Sequence, residues 1–359
     1  MKNHLLLFSL AFLLFVSCKK QGDKTTVSIV NAEFYMNGKP TFEGKVWRNN
    51  SLQGLLPNVR MVQGIYDDLN PETVNRWAYP DTKTWDADRN TKEFIEAMPL
   101  WKENGLLAFT INLQGGSPEG YSETQPWHNS AITEKGELRP DYMKRLKLIL
   151  NEADHLGMVA IVGVYYFGQE RRMESEEAIK TGLINAVDWI LENDFRNVLL
   201  EVCNESSFLY SHPILQEERV HELIHLAKSR QVNERRLLVG TSFLGNYIPT
   251  DKVAAVSDFI LIHGNAVEKW EGIVEQIDKT KALKGYKGQP IVYNEDDHED
   301  FDQPMNNFVA ATSQKASWGY FDYRRKGESF ECGYQNPPVD WGINSERKKA
   351  FFKILSEWK

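Results

Sequence analysis

Two dipeptides carry most of the chemistry legible in this chain: Asn204-Glu205, which closes the run NVLLEVCNESS, and Asn294-Glu295, which closes QPIVYNEDD. Each places a carboxylate at the end of a short apolar run bounded by turn residues, the pattern of a buried strand. A charge at a water-poor strand end is costly unless it is paired or used. Two carboxylates facing one cleft are the minimum equipment for cleaving a glycosidic bond. Their wide separation in sequence excludes one local motif and suits alternate strands of a repeating β/α fold.

The elements that would position them follow from the alternation of apolar runs with amphipathic segments. The spacing predicts strands at 59–64, 107–114, 159–167, 198–203, 237–241, 259–263, 291–294 and 317–322. Between them, helical spacing covers 91–104, 140–156, 176–193, 216–230, 268–284, 305–314 and 345–358. Eight strands interleaved with helices predict an α/β fold, a single-domain (β/α)8 TIM barrel. Residues 27–57 would add a short N-terminal β extension, a strand pair or lid at the barrel bottom or rim. A doubly wound sheet would want a glycine-rich phosphate turn after the first strand, and none occurs.

On this count Glu205 ends the fourth strand and Glu295 the seventh. His263 ends the sixth in FILIHGN, and Trp318 begins the eighth in ASWGYFD. In these four elements the chain resembles the (β/α)8 superfamily of retaining glycoside hydrolases, the cellulase-like clan that includes glycoside hydrolase family 5. The resemblance implies that Glu205 is the acid/base and Glu295 the nucleophile. It further implies that His263 sits near the nucleophile and Trp318 beneath the sugar. Asn204 would bond a hydroxyl beside the reacting carbon. A retaining mechanism requires the two carboxyls about 5–5.5 Å apart.

The long loops after strands one, two, three and eight would gather at the C-terminal face, where barrel enzymes bind substrate. From them Gln114, Trp127, His128, Asn129, Tyr165, Tyr166 and Gln169 are candidate sugar contacts. Arg171-Arg172 and Arg324-Arg325-Lys326 bring positive charge to the same face, which suits carboxylate or sulfate groups on an acidic glycan. Glu201 alternates to the side of Glu205 but lies deeper, as a structural ion-pair partner would. Asp296, Asp297 and His298 crowd Glu295, yet neighbours on a strand point to opposite faces, so a solvated loop is expected there rather than a metal site. No metal or organic cofactor is implied, and no Cys/His spacing resembles a zinc site.

Composition sets the outer limits. The 359 residues are 42% hydrophobic and 26% charged, ordinary globular values, and a net charge of −8 without a basic run argues against nucleic acid as a partner. At the N-terminus, Met1-Lys2, an apolar stretch from Leu5 to Val16 and Ser17-Cys18 resemble a bacterial lipoprotein signal. That resemblance implies a signal peptide over 1–17, lipid on Cys18, a tether over 18–26 and a catalytic domain over 27–359. The address would be the cell envelope, with membrane contact through the lipid alone. Cys203 and Cys332 then remain as one bridge or two free thiols. Alternatives to a glycosidase are a non-catalytic glycan-binding barrel and a metal-dependent barrel hydrolase. The second would want His-x-His after the first strand, which is missing.

Overall fold

The computed structural model describes residues 24–122, 124–207 and 209–359; Cys18 and the signal region lie outside them. An N-terminal antiparallel meander comes first, of β1 (Val27–Val30), β2 (Glu33–Met36) and β3 (Lys39–Pro40), then a hairpin of β4 (Val46–Trp47) and β5 (Asn50–Ser51). The barrel strands follow: β6 (Asn58–Arg60), β7 (Ala108–Asn112), β8 (Val159–Tyr165), β9 (Val198–Cys203), β10 (Leu238–Gly240), β11 (Ile260–His263), β12 (Ile291–Glu295) and β13 (Gly319–Tyr320). Six of them form one parallel sheet in the order β10-β9-β8-β7-β6-β13, and β11 pairs in parallel with β12. A bridge from Val292 to Ser317 joins β12 to the start of β13. The Asp258 amide donates to the Val239 carbonyl (2.9 Å) across the seam between β10 and β11. The ring is therefore a (β/α)8 barrel with strands in sequence order.

Helices α1 (Ala87–Glu103), α2 (Pro140–Leu156), α3 (Glu176–Glu192), α4 (Val220–Ser229), α5 (Asp251–Val256), α6 (Trp270–Lys281), α7 (Asn307–Ser313) and α8 (Glu346–Ser356) surround it. Their starts are written locally. The side chains of Asp86, Ser175, Thr250, Asn306 and Ser345 each accept a first-turn amide, and Pro140 opens α2. Helix α5 was not expected, because its six residues are too few to show a helical period. The other predicted elements are present with shifted ends. The N-terminal region departs from a simple strand pair: it has three meander strands and a separate hairpin.

Period-two alternation along the strands builds a layered interior. At the bottom, Ala108, Val159, Ile161, Leu199, Leu261 and Val292 enclose Phe34 from β2, which closes the barrel beneath and packs edge-on against Phe259 at 6.4 Å. Two residues further along three of these strands, the inward positions become polar: Glu201 after Leu199, His263 after Leu261 and Asn294 after Val292. The meander thus supplies the plug, and the strand ends supply the site. Replacing Phe34 with alanine is expected to lower stability by roughly 3–5 kcal/mol, read as a fall in the urea midpoint with unchanged slope. A shift within error of zero would mean that the meander does not seal the barrel.

Candidate active site

Glu205 and Glu295 reach the same point by two different local devices. Beyond β9 the backbone turns at Glu205 itself, which adopts φ +54°, a left-handed conformation that L side chains enter only under constraint. Ser242, just past β10, supplies the constraint: its hydroxyl accepts the Glu205 amide (3.0 Å) and its carbonyl accepts the Ser206 amide (2.9 Å). On β12 the device is a register shift against β11. Ile262 pairs with Tyr293, but His263 pairs with Glu295, so Asn294 is the extra residue of a bulge. Bulges re-aim side chains, and this one carries Glu295 toward the barrel axis.

The site is built around one guanidinium. Arg60, at the end of β6, places Nε 2.8 Å from Glu295 Oε2 and donates from Nη2 to Asn204 Oδ1 (3.0 Å). His263 lies between the two glutamates, with Nδ1 3.1 Å from Glu205 Oε1 and 3.6 Å from Glu295 Oε2. Oxygens of the two carboxyls approach to within 4.8 Å. Asn265 donates to Glu295 Oε1 (3.0 Å). Beneath them Asn294 donates to Glu201 Oε1 (3.4 Å), and Glu201 adds its charge to the field at Arg60.

Burial sets the ionisation. Glu205, 7% exposed, is pushed up to about 7 by desolvation, which Arg60 only partly opposes. Burial also raises Glu295, against the pull of Arg60 and then of His263. The His263 imidazole is held below its usual range by desolvation, in spite of the nearby Glu295 charge. Arg60 rises above its ordinary value because Glu295 and Glu201 outweigh the cost of burying it.

A cavity of about 650 Å3 opens above this cluster at the C-terminal face. Glu205, Glu295, Arg60 and the expected Tyr166 line it, together with Tyr121, Phe167, Tyr247 and Phe321. The other candidates from the sequence lie elsewhere. Gln114 is buried, accepting the Tyr166 amide (3.1 Å) and donating to Ser130 Oγ (3.3 Å). Gln169 ties Gln125 Oε1 and the Trp127 carbonyl. Trp127 packs edge-on against Trp77, and the His128 amide donates to Asp68, so both belong to a rim cluster joining loops one and two. Asn129 binds Gln169 and Gln63, while Tyr165 points back to the Ile179 carbonyl. Asn204 sits just below the cavity wall and keeps Nδ2 free of protein partners.

Three expectations need correction. Trp318 is fully buried, with Nε1 donating to Asp296 Oδ2 (2.8 Å) and its ring against Phe301 and Phe308, so it packs under the site instead of facing it. Asp296 does not lie in a solvated loop. It is buried and also binds His298 Nδ1 (2.6 Å) and Asn307 Nδ2 (3.0 Å), because strand alternation ends at Glu295 and His298 folds back. The basic residues of the loops do not face the cavity. Arg171 reaches the Leu209 carbonyl, Arg172 the Gly168 and Trp127 carbonyls, Arg324 the Asn336 and Pro337 carbonyls, and Arg325 pairs with Glu299. Cys203 and Cys332 are free thiols.

Arg60 was missed by sequence reasoning, although it is the one charge in the apolar run NVRMV. Asn265, Tyr121 and Asp297 were also missed as site residues, since each stands in a loop without a pattern of its own.

No protein-family model matches the chain, and no curated protein sequence does. Solved structures do match its fold. The endo-1,4-beta-mannanase from Rhizomucor miehei superposes with a TM-score of 0.57 at 11% identity, over 92% of this chain and 98% of that one. A glycoside hydrolase family 5 mannosidase from the same organism gives 0.54 at 12% identity, over 93% and 97%. A family 5 glycoside hydrolase from Bacteroides vulgatus gives 0.53 at 12%, over 92% and 70%. The likeness is one of fold.

The raised Glu205 carboxyl has a consequence for stability. The folded state holds its proton up to about pH 7, whereas the unfolded chain releases it near the usual carboxylate value. Between those pH values the native state binds more protons, so stability falls as pH rises and the full penalty is present above pH 7. Glu205→Gln removes the penalty. The variant is expected to exceed the parent by about 1–3 kcal/mol at pH 8 and to converge with it near pH 4.5 in urea melts. A pH-independent difference would refute the buried-acid assignment.

Proposed function

We propose that this chain is a retaining glycoside hydrolase. The observation that carries the reading is the pair of buried carboxyls, with oxygens within 4.8 Å, in two different electrostatic settings at the floor of one cavity. That approach fits the close spacing of double displacement better than the wider gap needed to hold a water between two carboxyls, about 6.5–9.5 Å. The superposed family 5 enzymes support a glycoside hydrolase reading of the fold.

Arg60 opposes the burial that raises Glu295 and so favours its carboxylate, and Asn265 aims it. The Glu295 carboxylate attacks the anomeric carbon. As the new carbon–oxygen bond forms, the bond to the leaving oxygen breaks, and Glu205 gives that oxygen its proton. The ionised Glu205 then takes a proton from water, whose oxygen displaces Glu295 and restores both groups. A neutral His263 bonds Glu205 without adding a second positive charge that would pull its proton away. Asn204 Nδ2, buried just below the cavity floor, has no protein partner of its own, so donation to a sugar hydroxyl would need the floor to open there.

Among the lining residues Arg60 is the one cation, and it is paired, while Glu205, Glu295 and Asp297 are acidic. The wall therefore suits a neutral glycan better than an acidic one. Lipidation at Cys18 would hold the barrel at the envelope surface; incorporation of a palmitate analogue that survives Cys18→Ser would rule this out.

A panel of β-mannan, cello- and xylo-oligosaccharides tests the activity, with the mannans first because two superposed neighbours are a mannanase and a mannosidase. Glu205→Gln is expected to lose about 10²–10⁴-fold in kcat, and Glu295→Gln to lose turnover. The parent's kcat/KM should fall on the alkaline side near pH 7, where Glu205 loses its proton, and on the acid side as Glu295 gains one. Anomeric NMR of the first product should show retention. Parental rates in both variants, or an inverted product, would exclude the mechanism.

A further inference from the structure

The strand order divides the barrel mouth. A line from the end of β7 to the ends of β11 and β12 leaves β8, β9 and β10 on one side and β13 and β6 on the other. Tyr121, in the loop after β7, spans that line. Its hydroxyl donates to Asp297 Oδ2 beyond β12 (3.1 Å) and accepts from Asn265 Nδ2 beyond β11 (3.1 Å). Asn265 bonds Glu295 with the same nitrogen, so the crossing passes beside the proposed nucleophile.

On the β13–β6 side the cavity stops at a wall that Phe321 and Gln335 line. The Tyr121 ring packs edge-on against Phe321 (5.6 Å) and Tyr323 (5.3 Å). Gln335, in the loop after β13, donates to the Ser117 carbonyl (2.9 Å), and Gln63, beyond β6, donates to the Gly116 carbonyl (3.1 Å). Gly120 has φ +92°, and a Cβ there would lie 2.7 Å from the Tyr323 ring, so the loop seats directly on that ring. The other side keeps an opening, where Phe167, Glu205, Leu244 and Tyr247 line the cavity and the Tyr247 side chain reaches solvent.

We propose that Tyr121 is a bar across the mouth that makes the site end-acting: a non-reducing terminal sugar enters from the β8–β10 side and stops against it. The direction follows from the chemistry. The leaving oxygen must meet Glu205, which stands on the open side, so the sugar that becomes bonded to Glu295 lies toward the bar. A chain running on past Tyr121 would meet the Phe321 and Tyr323 rings packed against it. This inference rests on the glycosidase reading and adds the mode of action.

The test uses whichever hexasaccharide of the panel the full-length protein cleaves, labelled with a fluorophore at its reducing end. Early in the digest the parent should yield a single labelled product, shortened from the unlabelled end. Tyr121→Ala should add several shorter labelled fragments at once, the pattern of internal cuts. Because Tyr121 is more than half exposed, the variant should keep the parent's melting temperature. Internal fragments from the parent would overturn the bar and leave the glycosidase reading standing. A folded Tyr121→Ala with the parent's single product would overturn it equally. No turnover of any glycan by the parent would remove both.

Discussion

A single buried guanidinium balances the chemistry of this barrel. Arg60 lies 1% exposed within the fields of Glu201, Glu205 and Glu295, and it touches only the last of them directly. Three carboxyls at such depth cannot all be charged without compensation, since burial penalises each ion and like charges penalise one another. One cation in contact with one carboxylate breaks the symmetry. Glu295 has the ion pair and an amide from Asn265, while Glu205 has a neutral imidazole. Two glutamates of the same type, both raised by burial, thereby sit in different electrostatic settings, as an acid/base and a nucleophile would require.

That arrangement needs a floor and a rigid frame. The floor is the apolar lower layer closed by Phe34, which keeps water from the underside of the polar layer. The frame lies in the strand ends, where Ser242 pins the left-handed Glu205 and the β12 bulge turns Glu295 inward. Trp318 and Asp296 belong to the same frame. Their hydrogen bond, with Asn307 and His298 also on Asp296, anchors the segment that follows Glu295 to β13 and α7. Residues that resemble ligands in sequence serve here as supports.

The loops follow a similar economy. Their arginines bind carbonyls and neighbouring carboxylates, which stiffens the rim and leaves the cavity wall acidic and aromatic. Loop two gains most from this stiffening, since it is tied to the loops after β6, β8, β11, β12 and β13. A loop held at so many points is a wall, and Tyr121 ties it to the loops after β11 and β12.

The barrel was legible in the sequence because parallel strands buried on both faces must be apolar runs and the helices between them must be amphipathic. The same periodicity located Glu205 and Glu295 at strand ends, with His263 close by. What periodicity cannot express is direction once a strand has ended. The left-handed turn at Glu205 and the fold-back of His298 lie past that limit, and the bulge at Asn294 breaks the period inside β12. Contacts between distant loops were equally hidden, because Tyr121, Asn265 and Asp297 meet only when the ring closes. Nor does a lone arginine in an apolar run announce which of several glutamates it will neutralise. The sequence by itself determined the eight barrel strands, most of the helices between them and which two carboxyls stand at the mouth. Only the tertiary structure decided which carboxyl Arg60 pairs with and which loops meet over the cavity, for those depend on distances across the barrel that no local pattern encodes.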